Sequence, residues 1–86
     1  MIEELLKELD LFLGDKNRNS LDFSYFLEEF LIREYDKMYR IDKSVTTLAN
    51  EELPEICAMM EPGMDDREFR ELLKIEYDRI SKAYFK

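Results

Sequence analysis

The 86-residue chain has no His and no Trp, a single Cys, and only two Gly and two Pro. Each shortage excludes something. Without His, the commonest general base and a frequent metal ligand are both missing. A lone thiol, Cys57, cannot form an intrachain disulfide, so a reducing compartment, the cytoplasm, is expected. So few Gly and Pro leave too few turns for a many-stranded sheet. No apolar run approaches the roughly 18 residues of a spanning helix. The opening Met1-Ile2-Glu3-Glu4 is acidic and lacks a basic n-region, so no secretory leader is expected. Bases are also scarce: 13 Lys and Arg stand against 21 Asp and Glu, a net charge of −8. That sign disfavours direct contact with nucleic acid or with an anionic membrane.

What remains is rich in core-forming residues. Apolar residues make up 45% and aromatics 13%, too much for a solvated tail. The length predicts one domain, residues 1–86, with a small core best supplied by helices. The net charge favours a monomer when the protein is free.

Spacing supports four helices. Over residues 2–13, Ile2, Leu5, Leu6, Leu9, Phe12 and Leu13 recur at intervals of three and four, and Gly14 marks the stop. Asn19 or Ser20 caps a second helix that runs to between Met38 and Arg40. Its apolar stripe is Phe23, Phe26, Leu27, Phe30 and Leu31, with Tyr35, Met38 and Tyr39 as the continuation. The third helix has two readings. Either Asn50 caps it and Pro54 sits in its first turn, or it starts at Ser44 and Pro54 bends it. Leu53, Ile56, Cys57 and Met60 form its stripe. In the fourth, Asp65 and Glu68 have the spacing of a capping box. Phe69, Leu72, Leu73, Tyr77, Ile80 and Tyr84 form the buried face. Short loops between such helices predict an all-α fold, a single antiparallel four-helix bundle.

The charge pattern is uneven. Residues 51–66 hold six acids, Glu51, Glu52, Glu55, Glu61, Asp65 and Asp66, and no base. Acids belong in the first turns of helices, which accounts for several of them. Glu55 and Glu61 fall outside that explanation. A stretch of this sign attracts a basic partner and speeds its approach. Carboxylates on a rigid scaffold can also occupy a cleft built for a nucleic-acid backbone. The spacing does not fit a Ca²⁺ loop, and the lack of His excludes helical Glu-x-x-His pairs, so no metal and no cofactor is expected. Cys57 lies on an apolar stripe, where a small buried hydrophobe is the default and a nucleophile is not expected. Tyr35, Tyr39, Tyr77 and Tyr84 are expected in the core or at its edge.

Three segments, taken in order, resemble a known family. Leu11-Phe12-Leu13 with Lys16 closes the first helix, and Leu21-Asp22-Phe23-Ser24 opens the second. Glu51-Glu52-Leu53 is followed after seven residues by Glu61-Pro62 and then by further acids. This arrangement is similar to the immunity proteins of the colicin D type, which include relatives from contact-dependent growth inhibition systems. The resemblance implies a four-helix bundle without catalytic activity. It implies a partner, the basic nuclease domain of a cognate toxin that cuts tRNA in its anticodon loop. In that reading the protein forms a 1:1 complex and blocks the toxin's active site with acidic side chains, in place of the tRNA. Glu61 matches the family's acid, with Asp65 in the run behind it. Met59, Met60 and Gly63 stand where family members carry further acids, leaving Asp66, Glu55 or Glu52 to compensate. A second resemblance is to acyl carrier proteins, in which Ser20 of Ser20-Leu21-Asp22 would carry phosphopantetheine. Asn19 stands where that family has Asp, so Ser20 as a plain helix cap is the simpler reading.

Overall fold

A computed structural model describes residues 2–60 and 63–85. They form α1 (Ile2–Gly14), α2 (Ser20–Ile41), α3 (Lys43–Met60) and α4 (Asp66–Tyr84), with no strand among the described residues. The helices pack in sequence order, and α4 returns against α1 to close the ring. This is an antiparallel four-helix bundle with extents of 34 × 22 × 17 Å.

The predicted stripes form one continuous core. Leu5, Leu9, Phe12, Phe23, Leu27, Leu31, Leu53, Phe69, Leu73 and Ile80 are all essentially inaccessible. Burying each such side chain contributes about 1.5–3 kcal/mol, which is how so short a chain offsets its ordering entropy. Three buried rings meet at one end. Phe12 stacks on Phe23 with ring centroids 4.1 Å apart, and Phe69 meets Phe12 edge-on at 5.9 Å.

The helix boundaries correct several expectations. Asn19, not Ser20, caps α2, and its side chain accepts the Asp22 N–H at 2.9 Å. Asn50 caps nothing. It lies inside α3 and donates its side-chain amide to the Thr46 carbonyl. The true start of α3 is set by Asp42, an extended residue that performs two tasks. Its N–H closes α2 on the Met38 carbonyl, and its carboxylate accepts the Val45 N–H at 3.0 Å. One residue therefore makes the whole connection between α2 and α3. Pro54 is consequently internal to α3, where it has no N–H to offer the preceding turn. Asp65 precedes α4 with extended geometry, but its side chain makes no capping bond, so the Asp65–Glu68 box does not close.

Burial brings two further corrections. Tyr35 and Tyr39 face solvent on α2, whereas Tyr77 and Tyr84 pack against the core as expected. Two carboxylates that the apolar stripes did not include are buried: Glu34 and Glu76. Each is held by a neighbouring cation, Glu34 by Arg33 at 2.9 Å and Glu76 by Arg79 at 3.1 Å. The Arg33 hydrogen bond holds the Glu34 carboxyl below the usual carboxylate range.

Candidate functional site

In an up-and-down bundle the α1–α2 loop and the α3–α4 turn lie at the same end. The acidic segment covers the second half of α3, that turn and the start of α4. The turn is tightened by Gly63, whose φ of 105° lies in the left-handed region and whose N–H reaches the Met60 carbonyl at 3.2 Å.

The predicted acids fall into three groups. Glu51 and Glu55 are exposed and one turn apart on the outer surface of α3, about 6 Å along its axis, with Glu52 half-buried beside them. Asp65 is exposed at the threshold of α4. None of these four is held in an ion pair by the described residues. Asp66 differs, because it is engaged inside the molecule. The Ser20 hydroxyl donates to one of its carboxylate oxygens, and Arg70 Nε donates to the other at 3.1 Å. Glu61 lies outside the described residues.

Sequence reasoning missed Arg70, which organises this end of the bundle. One guanidinium nitrogen donates to the Phe12 carbonyl at 2.7 Å, and another to the Asp15 and Arg18 carbonyls, each at 3.0 Å. Its Cζ sits 4.0 Å from the Phe12 ring centroid. Arg70 thus adds a charged donor to the Phe12 carbonyl in the last turn of α1 and to two carbonyls of the loop, and it ties the α1–α2 loop to α4. No local pattern separates Arg70 from its neighbour Arg67. Only the fold shows which one turns inward.

The surroundings of Asp66 are of mixed sign. An open groove of about 680 Å³ runs past it, lined by Lys16, Arg67, Arg70, Glu71, Lys74 and Ile75. The acidic face is therefore bounded on its α4 side by cations, and its free carboxylates are those of α3 and Asp65.

Two chemical roles lose support here. Ser20 is 6% exposed, and its hydroxyl is bound to Asp66, a poor position for a residue that must reach a modifying enzyme. Cys57 is buried, and desolvation pushes its thiol up to about 12, so little thiolate exists near neutrality. No group of three or more Cys, Asp or Glu that could hold a metal is found among the described residues. No helix is long and apolar enough to cross a membrane, again among the described residues.

Comparison with known proteins adds no relative: no family model, no curated protein and no solved structure matches this chain.

Proposed function

We propose that this chain is a cytoplasmic immunity protein that binds a nuclease toxin and blocks its basic active site. The observation that carries this reading is the base-free acidic segment displayed on a rigid bundle. Glu51, Glu55 and Asp65 are exposed and make no ion pair among the described residues, so the field they project is not neutralised there. The net charge of −8 reinforces that field over longer range. The resemblance to colicin D-type immunity proteins supplies the partner class, a ribonuclease domain acting on the tRNA anticodon loop, bound 1:1. Carboxylates would meet the Lys and Arg side chains that otherwise hold phosphate. A few desolvated pairs would dominate the affinity, and rim acids would set the association rate. The protein itself performs no chemistry in this reading.

The test is co-expression with the nuclease encoded beside this chain, measuring host growth and tRNA cleavage. Rescue of growth with intact tRNA is the expected result. Killing that proceeds unchanged in the presence of the chain would refute the role.

A further inference from the structure

We draw no further inference here: the strongest candidate, the solvent-facing apolar row on the outer side of α2 that includes Leu21, Ile32 and Tyr39, is bordered by charges of both signs, and nothing in the structure shows what covers it.

Discussion

Arg70 grips Phe12 twice, lying 4.0 Å from the centre of its ring and donating a 2.7 Å hydrogen bond to its carbonyl. The same guanidinium holds the Asp15 and Arg18 carbonyls and the Asp66 carboxylate. The α1–α2 loop is thus shaped by a side chain from the far end of the sequence.

Removing that grip should be costly. Arg70→Ala leaves several carbonyls without their charged donor and strips the cation from the Phe12 face. The expected loss is about 2–4 kcal/mol in a urea titration. Arg70→Lys should recover only a small part, since an ammonium cannot fork to three carbonyls. A loss within about 0.5 kcal/mol for Arg70→Ala would mean that the loop holds its shape unaided.

Phe12→Ala should cost about 3–5 kcal/mol, because a cavity opens between Phe23 and Phe69. Combined with Arg70→Ala, the loss should fall short of the sum, because both changes break one shared contact. Strict additivity in a double-mutant cycle would contradict that coupling.

The adjacent acids Asp65 and Asp66 should behave differently. Asp66→Ala removes the acceptor of the buried Ser20 hydroxyl, with an expected cost of about 1–3 kcal/mol in stability. Asp65→Ala removes no side-chain bond among the described residues and should stay within about 0.5 kcal/mol of the parent. If Asp65 instead meets a basic partner, Asp65→Lys should slow association and reduce its dependence on salt. Equal melting temperatures for the two alanine variants would overturn this division of labour.

Cys57 makes stability depend on pH at the alkaline end. Its thiol has a raised value of about 12 in the fold against 9.0 ordinarily, because burial disfavours the thiolate. The unfolded chain therefore loses this proton first, and the stabilisation present below pH 9 is lost as pH climbs towards 12. Cys57→Ala should flatten that decline by up to about 1.4 kcal/mol per pH unit. At pH 8 the native thiol should resist a disulfide reagent that reacts at once in denaturant. Rapid labelling of the folded protein would show that the site opens.

The helix count and the core were readable in the chain because they follow from local periodicity. Ile2, Leu5, Leu9 and Phe12 recur every three or four residues, and a helix places such residues on one face whatever its neighbours are. The same rule was ambiguous on α2. Tyr35 and Tyr39 extend the inner stripe only loosely and end up facing solvent, and periodicity cannot say which row another helix will cover. It was also ambiguous for α3, where Asn50 before two Glu looks like a cap. Asp42 won because its carboxylate and backbone together end one helix and begin the next, and α3's start remains packed through Val45 and Thr46.

Sequence alone determined the four amphipathic helices, most of the apolar residues they bury and the excess of acid between residues 51 and 66. These depend on composition and on neighbours within a turn or two. Tertiary structure decided which acids are spoken for. Asp66 is claimed by Ser20, 46 positions away, and Arg70 by Phe12, 58 positions away. Such bonds form only when chain ends meet in space, and no local spacing records where that meeting falls.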